Sequence, residues 1–183
     1  MHFTSDKLTE DVALVGLIRV ELFVESDAVD TDFTAKLIDV HENGHQFLVQ
    51  DGITRMRWRD TASWTFSEYQ REPKWMEKGT VYRVTVDLGF MSFVFNRHHR
   101  IAVSVSSSNH KRFSVNYNSG HMVVDGDKEW RTAVNTVHFG GAYPSKLILP
   151  VVDLQWLNGH KVSKEKIDFV HETVVGHYRE KYV

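Results

Sequence analysis

The chain of 183 residues has no cysteine, which excludes a disulfide framework, thiolate zinc sites and a Cys nucleophile. A core of this size needs no covalent staple, so the absence leaves the redox compartment undecided. Proline is scarce at three residues, and with 42 % hydrophobic and 12 % aromatic content the chain reads as folded rather than disordered. Charge of one sign is not in excess. Lys+Arg 22 against Asp+Glu 24 gives −2, which removes the bulk positive field that non-specific binding to nucleic acid or an anionic membrane requires. Neither partner is expected. Long hydrophobic runs are missing as well, because charges such as Arg19 and Glu21 interrupt each one short of the ~18 apolar residues of a membrane span. The opening Met-His-Phe-Thr-Ser-Asp lacks the basic and apolar regions of a signal peptide, so cytoplasm is the default expectation. With no internal repeat, low-complexity tract or Pro/Gly/Ser linker, the economical reading is one domain over residues 1–152 and an extension over 153–183.

What is present is alternation. Ile18, Val20, Leu22 and Val24 alternate with Arg19, Glu21 and Phe23, and the same period recurs at Tyr82, Val84, Val86, Leu88 and at Ile101, Val103, Val105. Each reads as a strand with one buried face. Phe33 to Val40, Gln46 to Gln50 and Ile53 to Trp58 are β-prone runs separated by Asn43-Gly44 and Asp51-Gly52, which predicts three antiparallel strands joined by two tight turns. Further strands are expected at His121 to Val124, Asn135 to Phe139 and Lys146 to Val151. Short strands with turn signals between them, and no alternating long helices, predict an all-β sandwich. Thr61 to Lys78 carries Trp64 and Trp75 among charges without a period, as a loop or short helix over a sheet edge would. From about Ser163 the extension reads as a helix to Tyr182, with Ile167, Val170, Val174 and Tyr178 on one face.

The residues that suggest chemistry each have a plainer reading. His41-Glu42-Asn43-Gly44-His45 matches H-E-x-x-H, but that zinc site requires a helix, and a strand-turn-strand is expected to send the two imidazoles along different strands rather than onto one face. Eleven His include His98-His99 with His110, and His171 with His177, whose spacings do not converge on a metal. Asp27, Asp30 and Asp32 lack the Gly and terminal Glu of an EF-hand and suit turn and strand-entry roles. Ser106-Ser107-Ser108 with His110 is not a nucleophile elbow, since no G-x-S-x-G occurs anywhere in the chain. Arg97, Arg100, Lys111 and Arg112 are a local basic cluster without a nucleic-acid motif. No metal, no cofactor and no catalytic residue is expected from spacing alone.

A set of ordered blocks carries a resemblance. Asp30-Thr31-Asp32-Phe33-Thr34-Ala35-Lys36-Leu37, then Asp51-Gly52-Ile53 with Arg55 and Arg57, resemble the C-terminal β-domain of the CocE/NonD hydrolases, a group that includes cocaine esterase, α-amino acid ester hydrolases and X-Pro dipeptidyl-peptidases. His99-Arg100-Ile101 leading to Ser106-Ser107-Ser108-Asn109, Asn118-Ser119-Gly120, Thr132-Ala133-Val134-Asn135 and Pro144 to Pro150 continue the likeness in order, over roughly Phe3 to Val152. The resemblance implies a jelly-roll, galactose-binding-like β-sandwich that packs on an α/β-hydrolase domain holding the Ser, Asp and His of the triad. No position here matches those three. It also implies that opening strands of the family's domain lie outside this chain, leaving an exposed sheet edge through which a homo-oligomer could form.

The expected function is a non-catalytic β-domain of a serine hydrolase of esters or X-Pro dipeptides, buttressing the catalytic domain and shaping its cleft. Trp64, Trp75, Phe90 and Phe93 are the candidate interface aromatics, with core filling as the alternative for each. The runner-up is a stand-alone sandwich that binds carbohydrate or another small ligand through its loops.

Overall fold

The computed structural model describes residues 1–60, 72–121, 129–155 and 179–182. Nine strands occur among them: β1 (His2–Thr4), β2 (Val12–Ser26), β3 (Asp32–Val40), β4 (Gln46–Arg55), β5 (Tyr82–Phe95), β6 (Arg100–Ser106), β7 (Asn135–His138), β8 (Lys146–Val152) and β9 (Arg179–Tyr182). They form two antiparallel sheets, one ordered β1-β6-β3-β4 and the other β5-β2-β8-β9, with β7 also pairing β2. The expected sandwich is there. Its core joins Leu14, Ile18, Val20, Leu22 and Val24 of β2 and Val84, Val86 and Leu88 of β5 to Phe33, Ala35 and Leu37 of β3 and Ile101 and Val105 of β6.

β2 is the spine of the second sheet. β5 runs along one side of it from Val12 to Val24, while β8 and β7 share the other side, β7 taking Phe23 to Ser26. Opposite Ile18/Arg19 the β5 register slips by one residue at Leu88, where Gly89 adopts φ 95°. This bulge reverses the alternation. Even-numbered Val84, Val86 and Leu88 face the core before it, whereas odd-numbered Phe93 and Phe95 do so after it, which leaves Phe90 and Val94 on the outer surface.

Two hairpin expectations fare differently. Asn43-Gly44 does turn the chain between β3 and β4, in a loop of Glu42 to Gly44 closed by His41 N donating to His45 O at 2.9 Å and Gly44 N to His41 O at 2.9 Å. Gly44 takes φ 83°, the left-handed position that a type I turn with a bulge reserves for glycine. Asp51-Gly52 is not a turn. Both residues lie inside β4, opposite Lys36 and Ala35, so a single strand replaces the two expected. Gly52 answers a different demand: a Cβ placed there would stand 2.2 Å from the Asp87 carbonyl oxygen of β5, because the two sheets meet edge to edge at this corner. Met56–Trp58, expected to continue a strand, is one turn of 3-10 helix.

The extension also departs from expectation at its end. Arg179–Tyr182 is strand β9, antiparallel to β8 with Ile148 opposite Tyr182 and Val151 opposite Arg179, and not the last turn of a helix. Pairing with an open strand edge satisfies backbone groups that a short helix of β-branched sequence would leave dependent on tertiary contacts. The helix expected from Ser163 and the strand from His121 to Val124 otherwise fall outside the described residues, as does Trp64.

Candidate functional site

The sequence blocks around Asp30 and Arg57 converge at one end of the sandwich, where β3 begins and β4 ends. Asp30 accepts hydrogen bonds from the Arg57 backbone N at 2.8 Å and Nε at 2.7 Å. Arg57 Nη2 lies 2.7 Å from the same carboxylate, with side-chain exposure of 1 % and 0 % for the two residues. Arg55 grips Asp32 through Nε and Nη2, both at 2.9 Å, and that hydrogen bond holds its guanidinium above the ordinary arginine value. Asn116 Nδ2 ties the two pairs together, 2.8 Å from Asp30 Oδ2 and 2.8 Å from Asp32 Oδ1. Asp27 is turned elsewhere, accepting from the Val134 amide at 2.8 Å. The three carboxylates thus serve strand entry through ion pairs and caps. Beside them opens a polar cleft of about 310 Å³ lined by Ser108, Asn109, Asn116, Trp130 and Arg131 among others, with Trp130 69 % exposed.

The remaining interface aromatics are not brought together. Trp75 lies by this network, its ring 5.2 Å from the Arg57 guanidinium. Phe93 faces inward at the rim of the core, edge-on to Phe95 at 4.9 Å and parallel to Phe47 of β4 at 6.4 Å. Phe90 is 71 % exposed on the outer face of β5, beside Leu17 of β2 in register and two residues along the same face from Ser92. Val94 lies on that same face beyond Ser92, opposite Ala13, and Phe93 is on the other face.

The Ser106 hydroxyl shares a hydrogen bond with Thr34 Oγ1 at 2.7 Å and donates to Ser108 O at 3.0 Å, so it is a strand-end link rather than a nucleophile beside an imidazole. On the side of the sandwich away from the β4–β5 corner, a cavity of about 230 Å³ separates β1 and β6 from β2 and β8. Phe3 and Phe139 stand at its edge with their rings 4.8 Å apart.

At the opposite end from the Asp30 network, the histidines correct one expectation. His41 follows β3 and His45 precedes β4, and they face one another across the turn with rings 5.4 Å apart. Residues opposite one another in an antiparallel pair point to the same face, so the hairpin brings the imidazoles together rather than separating them. His99, just before β6, stacks on His41 with rings 4.4 Å apart. Beneath them Asp39 receives His99 Nδ1 at 2.9 Å and 3.0 Å on its two oxygens, and His41 Nε2 lies 3.5 Å from Oδ2. Among the described residues this is the one group of three or more His and carboxylate side chains whose donor atoms converge as metal ligands would. Asp39 carried no local signal, because its partner is 60 residues away.

Comparison with known proteins agrees with this architecture. Residues 1–148 match the model of the X-Pro dipeptidyl-peptidase C-terminal non-catalytic domain. Cocaine esterase of Rhodococcus sp. (strain MB1 Bresler) is 40 % identical over 151 residues, which is 82 % of this chain and 25 % of that protein. An α-amino acid ester hydrolase superposes with a TM-score of 0.71 at 24 % identity, over 82 % of this chain and 25 % of its own. An aminopeptidase from the marine sediment archaeon Thaumarchaeota archaeon superposes with a TM-score of 0.73 at 21 % identity, over 84 % and 26 %. The chain therefore spans about a quarter of the length of these relatives. A family match over nearly the whole sandwich, and 40 % identity through the same region, establish that the chain belongs to the X-Pro dipeptidyl-peptidase C-terminal non-catalytic domain family, the C-terminal β-domain of the CocE/NonD hydrolases.

Proposed function

We propose that this β-domain docks on an α/β-hydrolase domain of the same protein, supports its fold and forms one wall of its substrate cleft, the whole enzyme cleaving an ester or an X-Pro dipeptide. The observation that carries this reading is the 40 % identity to one quarter of an esterase, a quarter for which the matching family is non-catalytic. The outer face of the β2–β5 pair, where Phe90 and Val94 are exposed and Leu17 stands beside Phe90, offers apolar side chains suited to such a contact. On this reading the chain contributes shape and not chemistry.

The test is reconstitution. The α/β-hydrolase domain encoded with this chain is produced separately and mixed with it; one-to-one binding and a rise in the hydrolase domain's melting temperature or turnover are expected. Phe90→Glu together with Val94→Glu should abolish binding while leaving the β-domain's own melting temperature little changed, since both side chains are outside the core. A hydrolase domain equally stable and active alone, and indifferent to this chain, would remove the reading. Trp130, exposed over a cleft of amide and guanidinium groups, favours the carbohydrate-binding alternative. Saturable binding of a glycan that Trp130→Ala eliminates would shift the assignment there.

A further inference from the structure

We propose that Asp39, His41 and His99 form a binding site for a divalent transition-metal ion, Zn2+ or a borderline ion of similar preference. The site follows from strand register. Val40 pairs with Arg100 and Asp39 with Ile101, and the same ladder carried one step further sets His41 opposite His99. Asp39 at the end of β3 and His41 just after it are two residues apart and so share a face, and His99, just before β6, comes to that face from the other side of the ladder. The three ligand atoms lie within 4.8 Å of one another, with Asp39 oxygens 2.9 Å from His99 Nδ1 and 3.5 Å from His41 Nε2. Ligands on a tetrahedral zinc at bond lengths of about 2.0–2.1 Å stand roughly 3.3 Å apart, so the carboxylate is already placed and a rotation of the exposed His41 ring closes the remaining gap.

Burial supports the same assignment. The Asp39 side chain is 6 % exposed, His99 14 % and His41 38 %, which describes a pocket with the carboxylate at its floor and an imidazole at its mouth. A structural role for Asp39 is fully met by His99 alone, through both carboxylate oxygens. It does not explain why a second imidazole is stacked 4.4 Å from the first with its Nε2 turned to the same carboxylate. Two imidazoles and one carboxylate select Zn2+, Co2+, Ni2+ or Cu2+ over the all-oxygen ions Ca2+ and Mg2+. Coordination needs a free lone pair on His99 Nδ1, so the proton that this nitrogen shares with Asp39 moves to Nε2 of the same imidazole, and the Nδ1 lone pair goes to the metal. Three protein ligands leave a position open to water. The ion would tie the end of β3 to the residue just before β6.

Untagged full-length protein is titrated with ZnCl2 by calorimetry near neutral pH, and with CoCl2 while following the visible d–d absorption that a tetrahedral site intensifies. One-to-one saturable binding and a raised melting temperature are expected. His41→Ala, which removes an exposed side chain and leaves the Asp39–His99 bond intact, should weaken Zn2+ at least about tenfold, as loss of one of three ligands implies. His110→Ala, at the far end of β6, should leave it unchanged. Absence of saturation at about 1 mM Zn2+, an affinity too weak for a three-ligand site, would overturn the proposal. So would His41→Ala binding that matches the parent.

Discussion

Arg57 holds Asp30 through its backbone N, Nε and Nη2, with both side chains sealed from solvent, so a charge in the 3-10 turn after β4 fixes the segment that enters β3. Removing one partner leaves the other charged, buried and only partly hydrogen-bonded. Arg57→Ala should therefore destabilise the fold by about 3–5 kcal/mol, read as a lower urea midpoint at unchanged m-value. A loss below about 1 kcal/mol, the range of exposed pairs, would show that water reaches the site.

Gly52 and Gly44 make a matched pair of tests. Gly52→Ala places a methyl against the Asp87 carbonyl, which backbone cannot yield cheaply, and should lower stability by about 2–3 kcal/mol. Gly44→Ala meets nothing within 4 Å and carries only the left-handed backbone strain, about 1 kcal/mol. Equal losses for the two in chemical denaturation would contradict the close approach of β4 to β5.

Deleting residues 179–183 should expose the β8 edge that β9 covers. The expected loss is about 1–2 kcal/mol, a fall in melting temperature of roughly 3–6 °C for a chain of this size. Sedimentation velocity should show concentration-dependent dimers of the shortened protein; a truncated form with the parent's melting temperature and no self-association would mean β9 contributes nothing.

Asp27 is expected to contribute to the acid limb of stability. The Val134 amide hydrogen bond holds its carboxyl below the ordinary range, with Arg131 acting in the same direction. Its folded-state value lies under its unfolded value of about 3.9, so the contribution is present above that pH and disappears as pH falls through the folded value. Asp27→Asn should flatten the pH dependence of the urea midpoint below about pH 4. A profile that superposes on the parent's would exclude the amide bond as the cause.

The strands were legible wherever one face met the core and the other met water, because period two then survives in the sequence, as it does from Ile18 to Val24. The bulge at Leu88 was not, since a one-residue slip against β2 reverses the pattern without altering composition, and it is this slip that turns Phe90 outward and Phe93 inward. Asp51-Gly52 misled because glycine has two uses, positive φ and close approach, and only the folded β5 distinguishes them. The ion-pair partners and the Asp39 cluster depend on residues tens of positions apart. Local spacing says nothing of such pairs, so the site residues that matter most here were visible as sequence blocks but not as geometry.

The position of β2 as the shared partner of β5, β7 and β8 sets a timetable for biosynthesis. As the chain leaves the ribosome, Val12–Ser26 emerges, apolar along one side, while the strands that will flank it, Tyr82–Phe95 on one side and Lys146–Val152 on the other, have yet to be translated. No hairpin with an immediate neighbour shelters it. At elongation rates of about 5–20 residues per second the wait for β8 lasts several seconds, long on the scale of hydrophobic collapse. The segment most central to the finished sheet is thus the one most in need of a holding chaperone while the nascent chain lengthens.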